Sequence, residues 1–251
     1  MSSHPDRAAW YRKWFGNEYL KLYPHRDASE AAEGVALLRR EVGQISGARV
    51  LDVGCGPGRH LAALTRAGFS SVGIDLSPTM IATASVAAPE AHLIRADMRQ
   101  LPIAGATFDI VTSYFTSFGY FDDERDDQRV IHEARRVLAR GGWYLLDFLN
   151  AAHVAATLKR EDRSSLAGAV VVQRRRFAEG GRVVEKRIRI ESRGPDPGRD
   201  FVERVRLYRP QELDEMLRRG GLHPVRAFGA YDGSPHSDAS PRYIVLNRAP
   251  S

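Results

Sequence analysis

From Ala48 onward, short apolar runs alternate with amphipathic stretches. Strand-like runs fall at Arg49–Val53, 71–74, 93–96, 108–112 and 143–148. The helical segments between them carry their own punctuation. Residues 59–67 stop at Gly68, and Ser77-Pro78 supplies an N-cap and an N1 proline for a helix ending near Pro89. Residues 123–139 place Val130, Ala134, Val137 and Leu138 on one stripe and stop at Gly141-Gly142. This alternation predicts an α/β fold: a Rossmann-like, doubly wound, mostly parallel seven-stranded sheet with helices on both faces.

The flanks follow other patterns. Trp10/Trp14 and Tyr11/Phe15/Tyr19/Tyr23 are i,i+4 sets, predicting one helix with an aromatic flank. A second helix is predicted over 29–42, with Ala32, Val35, Ala36 and Leu38 facing inward. After Asn150 three strands, 169–177, 182–191 and 201–208, alternate at period two and predict an inserted antiparallel meander added to the sheet. Helix Pro210–Arg219 ends at Gly220-Gly221, and 224–228 pairs with 243–246 across a long loop.

Composition narrows the function classes. At 251 residues and 43% hydrophobic content, the chain is one ordinary globular domain. Its single cysteine, Cys55, excludes an internal disulfide and any multi-cysteine zinc site. With no apolar run long enough for a membrane span and no secretory leader pattern, the expected location is cytoplasmic. The net charge of +6 would suit nucleic acid. However, 33 of the 37 basic residues are arginine in a chain rich in Ala and Gly, as a GC-rich coding bias also produces. Nucleic acid is therefore not the expected partner.

The strongest chemical signal is Asp52-Val53-Gly54-Cys55-Gly56-Pro57-Gly58-Arg59-His60, a buried strand running into a glycine turn that opens a helix. The dinucleotide fingerprint would need its third glycine where Arg59 stands, and Asp52 would repel a pyrophosphate. A cofactor with a cationic amine and no phosphate suits the turn, and S-adenosylmethionine (AdoMet) is one. Asp75 ends the second strand, where a carboxylate accepts both ribose hydroxyls. Asp97 ends the third, where it meets the adenine amino group, with Leu76 and Met98 on either side of the ring. Each acid alone could equally be a helix cap. Three at successive strand ends are harder to attribute to caps.

Over about residues 48–148 these motifs resemble the class I AdoMet-dependent methyltransferases, in particular the bacterial methyltransferase-domain family of small-molecule type. Thr116–Tyr120, Leu146-Asp147-Phe148-Leu149-Asn150, Tyr231-Asp232-Gly233-Ser234-Pro235 and Ser240-Pro241-Arg242 extend the likeness. The resemblance implies AdoMet as cofactor and S-adenosylhomocysteine (AdoHcy) as product. It implies a cofactor site of Tyr19, Arg26, Asp52, Gly54, Gly56, Gly58, Arg59, Asp75, Leu76, Met80, Ala96, Asp97, Met98, Ser113 and Tyr114. In such enzymes the loop after the fourth strand lies beside the sulfonium and shapes the acceptor pocket.

The tetrapeptide and Pro-Cys nucleophile of DNA methyltransferases are absent from this chain. The acid run 122–127 reads as a helix cap, so no metal is expected. Methyl transfer from a sulfonium needs positioning and desolvation, with a base only for a protonated amine or a hydroxyl. Tyr120 and Tyr23 are the catalytic candidates. Trp14, Phe118, Asn150, His153, Tyr231, His236 and Arg242 are candidates for the acceptor pocket. The aromatic N-terminal flank is either simple helix packing or a flap over the cofactor, and the arginines of the meander are either a solvated face or a roof holding an anionic acceptor. The expected layout is a flap (1–45), an AdoMet-binding core (46–150), an inserted substrate lid (151–209) and a closing helix and hairpin (210–251), as monomer or homodimer. The expected activity is transfer to nitrogen or oxygen of a small molecule. The alternatives are a tRNA or rRNA methyltransferase and a non-catalytic AdoMet binder.

Overall fold

The computed structural model describes residues 9–23, 28–43, 47–191 and 198–251. Three helices, α1 (Trp10–Trp14), α2 (Asn17–Leu22) and α3 (Ala28–Val42), precede the alternating core. The core runs β1 (Arg49–Val53), α4 (Arg59–Arg66), β2 (Ser70–Asp75), α5 (Pro78–Ala87), β3 (His92–Arg95), β4 (Phe108–Ser113), α6 (Glu124–Val137) and β5 (Leu138–Leu149). After α7 (Ala151–Thr157) come β6 (Glu161–Leu166), β7 (Ala169–Ala178), β8 (Val183–Glu191) and β9 (Arg199–Arg206). Helix α8 (Pro210–Arg219), β10 (His223–Phe228) and β11 (Arg242–Arg248) complete the chain.

Seven strands form the main sheet in the order β10-β11-β5-β4-β1-β2-β3. Strand β11 runs against both of its neighbours. Both faces are covered, so successive residues of a strand enter different cores. Val50, Ile110, Leu145 and Ile244 pack with Ala31, Val35 and Leu38 of α3. Their chain neighbours Leu51, Val111, Leu146 and Val245 pack with Val130, Ala134 and Val137 of α6 and Leu213 of α8. Strand order reverses between β1 and β4, which opens a crevice at the carboxyl ends of these strands.

Several expectations are corrected. The N-terminal aromatic helix is two short helices broken at Phe15-Gly16, where the Phe15 carbonyl accepts the Ser77 hydroxyl at 2.6 Å. In α3 the inward residues are Ala31, Gly34, Val35, Leu37 and Leu38, whereas Ala32 and Ala36 are exposed. Helix α6 ends at Val137, and Gly141-Gly142 fall inside β5, where its pairing with β4 slips between Phe108/Leu138 and Ile110/Trp143. The meander is not added to the main sheet. It has a fourth strand, β6, and forms a separate sheet in the order β6-β7-β8-β9. It is separate because its inner face has an apolar partner of its own: Val171, Ile188 and Ile190 bury Trp10 and Trp14.

Candidate functional site

The crevice holds a cavity walled by the first two strand ends, the glycine turn, the loop after β4 and the N-terminal helices. Gly54 has φ +72°, and a Cβ there would come 2.7 Å from the Ser117 Cβ. Only glycine lets the turn and the β4 loop meet this closely. Ser117 seals the contact by donating to the Gly54 carbonyl at 3.0 Å. On the far side of the turn, the Gly56 N–H donates to Asp75 Oδ2 at 3.0 Å, and the Ser77 N–H donates to Oδ1 at 2.8 Å.

Two carboxylates of the cavity wall are held away from water. Asp52 is 1% exposed and accepts the Thr112 hydroxyl at 2.9 Å. Burial, with Asp75 nearby, pushes its carboxyl up to about 7. Burial also raises Asp75, against its backbone hydrogen bonds. Asp97 differs: the Arg99 guanidinium holds it below the usual carboxylate range, through contacts of 3.0 and 2.7 Å. His60 stacks on Tyr114 at 4.3 Å between ring centroids, and burial holds it neutral. Its Nε2 is buried without a hydrogen-bond partner among the described residues.

Aromatic rings close the opposite wall. Tyr11, Phe15, Tyr19 and Tyr23 line the cavity from α1, α2 and the residues beside them, facing Tyr120 and Phe121. Tyr120 packs against Trp10 and Phe15, with centroids 5.1 and 5.6 Å away. The Tyr23 hydroxyl accepts from Lys186 Nζ at 2.9 Å, and that ammonium is paired with Glu203 at 2.6 Å. The second sheet thus reaches the cavity through the N-terminal segment.

Residues 50–142 match a family model described as a methyltransferase domain. The chain is 28% identical to a dTDP-3-amino-3,6-dideoxy-alpha-D-glucopyranose N,N-dimethyltransferase of Streptomyces fradiae, over 88% of this chain and 89% of that one. The chain is thus similar to AdoMet-dependent methyltransferases in its central segment and in its fold. Among solved structures, an AdoMet-dependent methyltransferase from Clostridium acetobutylicum superposes with a TM-score of 0.78 at 19% identity, covering 93% of this chain and 97% of that one. An AdoMet-bound amino pentose methyltransferase from Micromonospora echinaspora superposes with a TM-score of 0.67 at 24% identity, with coverages of 93% and 97%. A sugar N-methyltransferase from Streptoalloteichus also superposes, with a TM-score of 0.71 at 24% identity, covering 94% of each chain.

Of the residues singled out by sequence, the fold brings Tyr19, Asp52, Gly54, Gly56, Arg59 and Asp75 to the cavity wall. Leu76, Met80, Asp97, Met98 and Tyr114 join them, as do Tyr23 and Tyr120. Gly58 lies behind the turn against Ala84, and Ala96 and Ser113 also stand off the wall. Arg26 lies outside the described residues.

None of the seven acceptor-pocket candidates lines the cavity. Trp14 is buried under the second sheet, its Nε1 donating to Glu203 at 3.1 Å. Phe118 packs in the main core against Phe148 and Tyr208. Asn150 caps α7 and donates to the carbonyls of Ser237, Asp238 and Ser240. His153 bonds the Ala239 carbonyl, and His236 packs on Tyr243. Tyr231 and Arg242 both bind Asp147.

Phe15 of the expected flap and Phe115, Ser117 and Phe121 of the expected loop also line the wall, while Tyr11 and His60 were not singled out for the site. His60 had a signal, since it follows the glycine turn at the start of α4. Tyr11 and Phe15 stood in the same i,i+4 set as Tyr19 and Tyr23, and that set is the one facing the cavity.

Proposed function

We propose that this protein methylates the amine of an amino sugar carried on an anionic group such as a nucleotide. One observation carries this reading: likeness to an amino-sugar N,N-dimethyltransferase covers 88% of this chain and 89% of that one. The cavity suits the cofactor. Buried Asp52 and half-buried Asp75 favour a cationic guest, the backbone of the glycine turn permits close approach, and the His60 Nε2 has no hydrogen-bond partner among the described residues. Asp75 would hold the ribose hydroxyls, Asp97 with Leu76 and Met98 the adenine, and Asp52 with the turn the methionyl end. Bound AdoMet supplies an electrophilic methyl whose leaving group is a neutral thioether.

The chain's own part is orientation, exclusion of water and proton management. Tyr11, Phe15 and Tyr120 keep the reacting region dry. Tyr120 and Tyr23, two of the tyrosines on the cavity wall, are the hydroxyls this reading assigns to the acceptor, and Lys186 and Glu203 fix the Tyr23 oxygen in place. Among the described residues no group of three or more His, Cys, Asp or Glu stands together to hold a metal ion.

The test is incubation with AdoMet and either dTDP-3-amino-3,6-dideoxyglucose, a phenol panel or total RNA, read by mass. A gain of one or two methyl groups on the amino sugar, unaffected by EDTA, supports the proposal. Label in RNA or on phenols alone overturns it. AdoHcy binding without turnover on any arm identifies a non-catalytic binder.

A further inference from the structure

Phe115 and Thr116, consecutive residues of the loop after β4, have φ of +56° and +65°. L side chains rarely adopt this conformation, and two in a row persist only where neighbours over-determine them. Asp147 at the end of β5 does so here. Its buried carboxylate accepts the Phe115 N–H at 2.8 Å, and its carbonyl accepts the Thr116 N–H at 3.0 Å.

The carboxylate is itself gripped. Arg242 donates to Oδ1 at 2.5 Å and to Oδ2 at 2.8 Å, and the Tyr231 hydroxyl donates to Oδ2 at 2.5 Å. The Phe115 ring lies within 4.4 Å of the Arg59 guanidinium and 4.7 Å of the Arg242 guanidinium. Beyond the corner, Ser117 presses on Gly54 and bonds its carbonyl. A continuous line of contacts therefore runs from the long loop before β11, through Asp147, to the glycine turn.

We propose that Asp147 is a positioning residue for the cavity: clamped by Arg242 and Tyr231, it holds the Phe115–Thr116 corner left-handed and so keeps Ser117 against the Gly54 turn. Tyr231 and Arg242 thus act on the site through Asp147, without touching the acceptor. The consequence for cofactor affinity rests on the reading that this cavity takes AdoMet. The clamp itself does not.

Two readouts separate the claims. Hydrogen exchange of the ligand-free protein is followed over residues 113–118, with β1 as internal control. Tyr231→Phe, Arg242→Lys and Asp147→Asn should each speed exchange there by about tenfold, the scale of a lost hydrogen bond to a charged group. Unchanged exchange in Tyr231→Phe and Arg242→Lys, which keep most of the side chain, overturns the clamp whatever the ligand, even if Asp147→Asn fails to fold.

AdoHcy titration calorimetry then reads the effect on the cavity. Tyr231→Phe should weaken binding about threefold and Asp147→Asn about tenfold. Thr116→Gly placed in the Asp147→Asn background should recover most of the loss, because glycine enters the left-handed region without strain. Equal weakening in the single and double variants removes the positioning role and leaves a structural one. If the native protein does not bind AdoHcy, the cofactor reading fails while the exchange result still decides the clamp.

Discussion

Gly54 and Gly56 share a turn but owe their identities to different causes. Both have positive φ, yet a Cβ at Gly56 meets nothing within 4 Å, whereas one at Gly54 strikes Ser117. Gly56→Ala should therefore cost only the left-handed conformation, about 1–2 kcal/mol. Gly54→Ala adds overpacking and should cost about 2–5 kcal/mol in total. Urea midpoints of the two variants check the order, and a larger loss at position 56 would contradict it.

Asp52 makes a signed pH prediction. Burial raises its carboxyl from 3.8 to about 7, so between these values the fold keeps a proton that the unfolded chain releases. Its destabilising contribution is absent below 3.8, grows as pH rises and is complete above 7. Asp52→Asn keeps an acceptor for Thr112 without the charge. Its stability gain over the native chain should be larger at pH 8 than at pH 5, as measured by denaturant midpoints at both.

At the scale of elements, Ser77 joins two that are distant in sequence. Its hydroxyl caps α5 by accepting the Met80 N–H at 3.3 Å, and it donates to the Phe15 carbonyl at the break between α1 and α2. Ser77→Ala should cost about 1–2 kcal/mol, the range for a lost N-cap. The decisive feature is where the loss shows. Exchange should rise over residues 10–22 as well as in the first turn of α5. Protection lost only in α5 would mean that the Phe15 contact does not hold the N-terminal segment.

For the whole molecule, the second sheet meets the rest through the N-terminal aromatic cluster and also directly through β9, where Val205 joins the main core and the Arg206 N–H donates to the Gly119 carbonyl at 2.8 Å. Trp14 is 1% exposed, packs on Phe201 at 5.0 Å between centroids and donates to Glu203. Trp14→Ala should cost about 3–5 kcal/mol, as large aromatic truncations in cores do. Because β1, β4 and β5 are buried between other helices, exchange should rise first in β7–β9 and in residues 10–22. Uniform loss of protection across both sheets would show a single cooperative core. The same coupling places the Lys186–Glu203 pair of the second sheet behind the Tyr23 hydroxyl, so the small sheet contributes to the cavity without lining it.

Local pattern was sufficient wherever the chemistry is local. The apolar runs of β1, β2 and β4, the Ser77-Pro78 start, the glycine turn and the three acids at strand ends are contiguous motifs, and the structure brings the turn and those acids to one wall. Their positions follow from the parallel sheet, which sets strand ends side by side. The second sheet was legible as strands but not as a separate body. Period-two alternation shows that one face is apolar and says nothing of what covers it, and here the cover is Trp10 and Trp14 from over a hundred residues away.

The same limit explains Asn150, Tyr231 and Arg242. Their motifs marked them as chemically committed, and the long connection between β10 and β11 left their partners open. In the folded chain Asn150 bonds the loop before β11, and Tyr231 and Arg242 bond Asp147. Residue type and spacing along one strand or turn are properties of the chain by itself. Which polar groups face a cavity and which face one another depends on how distant segments close over the sheet, and that only the folded structure decides.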